Sequence, residues 1–491
     1  MEIVNLAQVS TFNFSFMRTY LFYDLETSGL HHAFDQILQF AAIRTDENFQ
    51  ELERHEFRVH IRPDVIPSPE ALTTTKIDPM EFRGEMNEFE AVRRIHQLVN
   101  VPNTTSIGYN SIGFDDLMIR HAFFRNLLDP YTHGYANGCK RADLLPIAII
   151  FRQFNPEGIN WPHKEDGTPS MKLELISKAN GLADGMAHDA MVDVEATLAL
   201  AKKLAANKTI WSWAMEYFDK NTFNSRLDKY VEHKPLGKVG QLTWGLLMHN
   251  RIGGNAGYQA PVIYMGHSNM KQHLFLQLDR ADLAELNETE RKEELSGVWR
   301  CKYGEPPFIL PFERLQKDFI TDERRALMKS NVQWIKENWA EWQAMCQFQI
   351  DYRYPQVDGV DTDDLIYNGF WNDTVKKQNA AFHQARDWQE RYDICSTMKD
   401  ETTRTLGRRI LFRNEQQLSP ELSMAQMEFF TERWTDQKIL DKTGKDRFTP
   451  HMALQRIQEL FDDQEHPLSE EDQNILMSYE EWLHERMANF E

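Results

Sequence analysis

The stretch TYLFYDLETSGL, residues 19–30, carries two acids, Asp24 and Glu26, inside a run that is otherwise largely apolar. In an extended strand the side chains at i and i+2 leave the same face, so both carboxylates point at one small region. Carboxylates that close raise each other's pKa unless a positive group lies between them. Two further segments supply groups of the same kind. In GYNSIGFDDLMIRHAFFRN, Asp115 and Asp116 open a helix after an Asn-containing turn, and in MAHDAMVDVEATLALAKKL, Asp193 stands inside a helix with His188 five residues before it. Each piece alone has a plain structural use: acids at a solvated strand end, a carboxylate cap on a helix, a His or Asp189 at a helix entrance. Together, Asp24, Glu26, Asp115 and Asp193 make a poor apolar core and a suitable cage for two hard divalent cations such as Mg²⁺ or Mn²⁺, which prefer oxygen ligands. In such a two-metal site one ion prepares a nucleophile for in-line attack on phosphorus and the other stabilises the leaving oxygen. His188, of a type with an ordinary pKa of about 6.5, suits a general base taking a proton from the attacking water.

These groups need elements that bring them together. From Thr19 to about Ala205 the pattern is α/β. Residues 19–26 and ILQFAAIRT (37–45) are apolar runs, and EFRVHIRP (56–63) alternates Phe57, Val59 and Ile61 on one side, which predicts three strands in a meander. EFEAVRRIHQLV (88–99) and FDDLMIRHAFFRN (114–126) have helical spacing, and SIGYN (106–110) reads as a short strand entering a turn. AHDAMVDVEATLALAKKLAA places Met191, Val194, Leu198 and Ala201 on one helical face. The expectation is a mixed sheet covered by helices. Short β-like pieces such as APVIYMG and HLFLQLD, separated by turns such as RIGGNAG, mark a β-rich region with helical flanks over 206–360. From about 361 strands nearly vanish. Near the end Ser469 is a helix cap, and Ile475, Leu476, Tyr479, Leu483 and Met487 share one face. Residues 1–17 read as an N-terminal extension.

At 491 residues the chain is long enough for two or three cores. Its 41% hydrophobic and 26% charged residues are those of a globular protein. No apolar run approaches the roughly 20 residues that span a bilayer, and the first residues lack a secretory pattern. Cys139, Cys301, Cys346 and Cys395 lie far apart with no CxxC spacing, which suits a reducing, cytoplasmic setting. A formal charge of -20 excludes a generic nucleic-acid coat. A nucleic-acid site on this chain needs a local basic groove or metal ions as its positive charge.

The ordered triple DLET, YNSIGFDD and HDAMVD resembles the DEDD superfamily of 3′ to 5′ exonucleases, in the subgroup with a His five positions before the last Asp. QFAAIRTD, PEGINWP, KANG, AHDAMVDVEAT and YNGFW are similar to the bacterial exonuclease I family, from about Leu21 to the C-terminus and densely to about Ala205. The resemblance implies an RNase H-like α/β exonuclease domain over 18–205, an SH3-like β-rich domain over 206–360 and an all-α C-terminal domain over 361–491. It implies a monomeric, Mg²⁺-dependent 3′ to 5′ exonuclease that clamps single-stranded DNA, releases 5′-mononucleotides and serves DNA repair and recombination. It makes Asp24, Glu26 and Asp193 the principal metal ligands, Asp115 the completing acid and His188 the general base.

The same resemblance places Glu26, Arg120, Tyr131, Tyr135 and Lys172 against the substrate. These types suit phosphate pairing and base stacking, although a solvated Arg120 and a core Tyr131 are the plain readings. Lys172 stands where the family has Arg, so a bidentate grip becomes a point charge. Ile149 and Asn155 stand where the family has basic residues, on a ridge that docks the acidic tail of single-stranded-DNA-binding protein. Trp334, Trp339, Trp342, Trp371 and Trp388 are expected mostly in the core. RTLGRRILFR (404–413) and KTGKDR (442–447) are the basic runs of the second half, either groove or solvated face. Two other activities fit the motifs less well. A trimmer of RNA ends or short oligonucleotides does not need the long C-terminal half, and an inactive DNA-binding scaffold does not need all five catalytic positions filled.

Overall fold

A computed structural model of the chain describes residues 17–183, 189–236, 238–415 and 418–490. The chain divides into two compact units, one formed from Met1–Arg141, Gly185–Glu195 and Gln356–Glu491, the other from Ala142–Asp184 and Ala196–Pro355.

In the first unit β1 (Thr19–Thr27) and β2 (Ile37–Thr45) are buried along nearly their whole length, as their unbroken apolar runs require. With β3 (Glu51–Arg58), β4 (Thr104–Gly108) and β5 (Lys140–Asp143) they form a five-stranded sheet in the order β3-β2-β1-β4-β5. β1 runs antiparallel to β2 and parallel to β4, so the sheet is mixed. β3 starts and ends earlier than its alternation predicts. Residues 51–55, ELERH, are polar because β3 is an edge strand, and polar residues on an open face give no apolar signal. Beyond it, Val59 makes an isolated bridge to Met86 and donates its N–H to the Leu38 carbonyl of β2 at 2.8 Å.

Three helices follow the chain order α1 (Pro69–Thr75), α2 (Glu88–Val99) and α3 (Asp115–Arg125). Asn87 caps α2 by accepting from the Glu90 N–H at 2.9 Å. Its apolar face, Phe89, Ala91, Val92, Ile95 and Val99, is buried. Val92, Ile95, Met118, Ile119 and Phe123 pack with Leu21, Tyr23, Leu25, Phe40 and Phe57 of the sheet in one core.

The C-terminal helices belong to this unit. Ser469 caps Glu470–Met487 through the Asp472 N–H at 3.1 Å, and Ile475, Leu476, Tyr479, Leu483 and Met487 are all buried. They share a core with Leu38, Ile66, Leu72 and Trp434. Beside that core lies a buried ionic network. Arg62 and Arg125 bind Glu88 at 3.0 and 2.7 Å, and Arg413 binds Asp64 and Asp363, each at 2.8 Å. Arg409 binds Asp361 at 2.6 Å and Asp363 at 2.8 Å, and Arg433 binds Asp361 at 3.0 Å. The run 404–413 is therefore neither groove nor solvated face at Arg409 and Arg413. Arg447 is buried too, donating to the Asp64 carbonyl at 3.1 Å.

The second unit holds a six-stranded antiparallel sheet. Val298–Cys301, His273–Gln277, Gln259–His267, Gly240–Met248 and Phe308–Leu310 lie in that order, and Glu232–Leu236 pairs with Gly240–Met248. The helices Asp322–Glu337 and Trp339–Asp351 bring Trp334, Trp339 and Trp342 onto this sheet, against Ile263, Leu274 and Leu276. Trp371 and Trp388, in the first unit, pack against a core that includes Phe89 and Phe382. Among the described residues no helix is long and apolar enough to cross a membrane.

Candidate active site

Asp24 and Glu26 leave β1 two residues apart, opposite Ala41 and Gln39 of β2, and the pairing register shifts just after Glu26. The bulge bends the strand where its acids emerge. The turn that follows is tied by Asp35, which accepts from Ser28 Oγ and the His31 N–H, each at 2.8 Å. Gly29 is needed there because a Cβ on it would lie 2.5 Å from the Asp35 carboxylate. The contribution of Asp35 was not read from the sequence; the only local signal is a TSG turn followed six residues on by an acid.

β4 ends at Gly108 and the chain reverses at Asn110, φ 63°, a left-handed conformation that Asn tolerates. It enters α3 at Asp115 and Asp116, both buried. The helix has Phe114 at its N-cap, without a side-chain cap, and the two acids divide. Asp116 is held by Arg120 at 2.9 Å, by His133 at 2.8 Å and by Arg141. Burial alone would raise its pKa, but Arg141, Arg120 and His133 outweigh burial and hold the carboxyl below the usual range. Asp115 instead acts on Asp24 and Glu26 by charge repulsion.

Asp193 lies in the first turn of the helix Ala190–Ala205. Asp189 caps that helix, accepting from the Met191 N–H at 3.0 Å. His188 lies outside the described residues.

One carboxylate oxygen each of Asp24, Glu26 and Asp193 falls within 4.8 Å of the other two. Burial and then the charges of Asp193, Asp115 and Asp189 push the Glu26 carboxyl up to about 8. Burial and then Asp115, Asp193 and Glu26 raise Asp24 well above the carboxylate range, against a small opposing effect of the Leu25 backbone N–H. Neither Asp24 nor Glu26 forms an ion pair with a described Lys or Arg. Three carboxylate oxygens converging on one point fit a hard divalent cation, which would relieve the repulsion that burial concentrates on Asp24 and Glu26.

The remaining sequence candidates are spread more widely. Arg120 is mostly buried, bound to Asp116, with its guanidinium 5.5 Å from the centroid of the Tyr131 ring. Tyr131 is half-buried and donates to the Ile366 carbonyl at 3.3 Å, while Tyr135 is 59% exposed. Lys172 is exposed in the second unit, at the start of the helix Leu173–Asn180. In that unit Ile149 is core, and Asn155 accepts from Asn207 at 2.9 Å.

Residues 21–201 match the family model described as RNase_T: Exonuclease. The chain is 39% identical to exodeoxyribonuclease I of Escherichia coli (strain K12) over 249 residues, 50% of this chain and 51% of that protein. It is 36% identical to exodeoxyribonuclease I of Haemophilus influenzae over 248 residues, again 50% of this chain and 51% of that protein. In these alignments the chain spans about half the length of the curated relatives it matches. Crystal structures extend the likeness. E. coli exonuclease I in complex with a dA16 oligonucleotide is 25% identical with a TM-score of 0.79, covering 96% of this chain and 100% of that one. The zinc ion bound form of the E. coli ExoI–ssDNA complex is 26% identical with a TM-score of 0.80, covering 96% and 99%. The SSB/exonuclease I structure with the inhibitor CFAM is 26% identical with a TM-score of 0.76, covering 96% and 100%. With the ordered acidic motifs, an exonuclease domain model over 21–201 and a structural likeness along nearly its whole length, the chain is similar to bacterial exonuclease I and carries an exonuclease domain.

Proposed function

We propose that the protein is a Mg²⁺-dependent exonuclease that degrades single-stranded DNA from its 3′ end and releases 5′-mononucleotides, acting in DNA repair and recombination. The observation that carries this reading is the carboxylate cluster of Asp24, Glu26 and Asp193, whose oxygens lie within 4.8 Å of one another and in which Asp24 and Glu26 are both raised by burial and by neighbouring carboxylates. These three acids hold the metal, with Asp115 completing the set. Bound there, divalent cations polarise the phosphodiester and lower the pKa of the attacking water. Glu26, whose carboxyl is raised to about 8, would give up a proton to a cation bound beside it, so metal binding would be favoured as pH rises. Asp189 fixes the start of the helix that carries Asp193, and Asp35 and Gly29 fix the turn beyond Glu26. His188 takes the proton of the attacking water.

On the substrate side Glu26, Arg120, Tyr131, Tyr135 and Lys172 are the assigned contacts, four of them cationic or aromatic as a single-strand groove requires. The segments 18–205, 206–360 and 361–491 serve as catalytic, SH3-like and helical parts. Related structures hold bound oligonucleotides and an SSB/exonuclease I assembly, which favours single-stranded DNA as substrate and its binding protein as partner, with the enzyme itself a monomer. The test is a digestion of end-labelled single-stranded DNA, duplex DNA and RNA with Mg²⁺ or EDTA. Shortening from the 3′ end of single-stranded DNA in Mg²⁺ alone is expected. Preferential shortening of RNA would replace the substrate, and no shortening of any substrate would replace the enzyme by a binding scaffold.

A further inference from the structure

Asp116 adjoins Asp115 and is the acid that the assigned site leaves unused. It is only 1% exposed, and three donors converge on its carboxylate. Arg120, one turn further along α3, reaches Oδ2 at 2.9 Å, and Arg141 of β5 reaches the same oxygen. His133, in the short turn Thr132–Gly134, meets Oδ1 at 2.8 Å. Burial outweighs the pull of Asp116 on the imidazole and lowers its pKa, which keeps His133 neutral. A carboxylate only accepts, so the one proton of this neutral ring is on Nε2 and is donated to Asp116. A Cβ on Gly134 would lie 2.9 Å from Arg141 Nε, so the glycine leaves Arg141 its path past the turn. The His133 ring also stands edge-on to Phe123, centroid to centroid 5.7 Å.

A buried carboxylate gripped by charged donors is fixed in place, because each partner is left uncompensated if it moves. α3 begins without a side-chain cap, and an uncapped first turn is prone to fray. Asp116 ties that turn to β5 and to the turn Thr132–Gly134. Asp115 is one residue earlier, about 100° away around the helix axis. Any rotation or fraying that displaced Asp116 would therefore also displace Asp115, whose charge acts on Asp24 and Glu26. When Arg120 leaves Asp116 for a phosphate of the substrate, His133 and Arg141 still hold the carboxylate. The hold on Asp115 is thus independent of the substrate.

We propose that Asp116, gripped by His133 and Arg141, is a positioning residue that keeps Asp115 in the register needed to complete the metal set. The proposal rests on the metal reading given above and adds to it the side chains that act through Asp116.

The experiment is a calorimetric titration of Mn²⁺ into the full-length protein, with a parallel titration of a single-stranded oligodeoxynucleotide in EDTA and a digestion of the same strand in Mg²⁺. His133→Leu removes the donor and leaves the net charge unchanged. It should weaken Mn²⁺ binding by about 10- to 100-fold, the range for loss of an outer partner of a metal site, with single-strand affinity near wild type. His133→Gln puts an amide N–H in the place of Nε2–H and should restore most of the loss. Arg141→Met tests the same grip from the other oxygen and decides the matter if His133→Leu does not fold. Removing a cation near the acids should tighten Mn²⁺ binding by charge alone, whereas loosening Asp116 should weaken it, so the sign discriminates. Wild-type Mn²⁺ affinity in His133→Leu, or tighter binding in Arg141→Met, would overturn the positioning role while leaving the exonuclease reading intact. Equal losses in His133→Leu and His133→Gln would overturn it in favour of ring packing on Phe123, and an equal loss of single-strand affinity in EDTA would overturn it in favour of a general loosening of the fold. A wild-type protein that neither binds Mn²⁺ nor digests the strand would overturn the metal reading and the positioning role with it.

Discussion

Two groups of four acids lie in the same compact unit, and the chain treats them in opposite ways. Asp64, Glu88, Asp361 and Asp363 are removed from water but wrapped by Arg62, Arg125, Arg409, Arg413 and Arg433. Burial alone would raise Glu88, yet Arg125 and Arg62 outweigh it and hold its carboxyl down at about 2. In the other group burial and mutual repulsion act in the same direction on Asp24 and Glu26, and both are raised. The first group is finished as folded: its charges are neutralised by residues of the chain itself. The second is the group proposed above to hold divalent cations. Buried carboxylates are thus no signature of a metal site by themselves. What distinguishes the site is the absence of arginine around Asp24 and Glu26 among the described residues.

The comparison can be broken at several points. The largest effect is expected from the proposed base: His188→Ala should leave single-strand affinity nearly intact and cut the single-turnover rate by about 10²- to 10⁴-fold. An unchanged rate would leave His188 out of the chemistry. In the neutralised group, Arg413→Met strands Asp64 and Asp363 without their shared guanidinium, and urea unfolding should show a loss of about 3–5 kcal/mol. A loss below about 1 kcal/mol would mean that the network is not what joins the C-terminal helices to α2 and its neighbours. Asp24→Asn is the counterpart in the other group. It removes a repelling charge, so metal-free stability should hold or rise slightly while the stabilisation by Mg²⁺ is lost.

The two groups also differ in the sign of their pH dependence. Glu26 has its folded pKa raised from 4.5 to about 8, so its contribution is present below pH 4.5 and is lost as pH rises towards 8. Glu88 has its folded pKa lowered from 4.5 to about 2, so its contribution is present above pH 4.5 and is lost as pH falls towards 2. The rise in Tm caused by Mg²⁺ should therefore grow between pH 5 and 8 in wild type and grow less in Glu26→Gln. A metal-induced shift that is flat across this window would contradict the assignment of Glu26.

Sequence showed one group and hid the other for a physical reason. Asp24 and Glu26 share a strand face two residues apart, and Asp193 sits on a helix whose apolar period is plain, so local geometry exposes them. The neutralising network is made across distances of up to 349 residues, as between Asp64 and Arg413, and no local pattern announces it. Read locally, Arg409 and Arg413 belong to a basic run on a helix surface, and only the packing of that helix shows them buried. The same limit applies to Asp115 and Asp116, which are adjacent and alike in sequence. Their difference comes from Arg141 and His133, 25 and 17 residues beyond Asp116 in the chain. β3 was mis-set because its first residues face solvent.

In the proposed function Asp24, Glu26 and Asp193 hold a divalent cation, with Asp115 completing the set. Calorimetric titration of Mn²⁺ and Mg²⁺ at pH 7 in two buffers of different ionisation enthalpy, on wild type and Asp24→Ala, tests it most directly. Wild type should bind with a buffer-dependent heat that reports release of a proton from Glu26, whose carboxyl is raised to about 8, and Asp24→Ala should lose that binding. Binding that is absent from wild type, that releases no protons, or that is unchanged in Asp24→Ala would contradict the account.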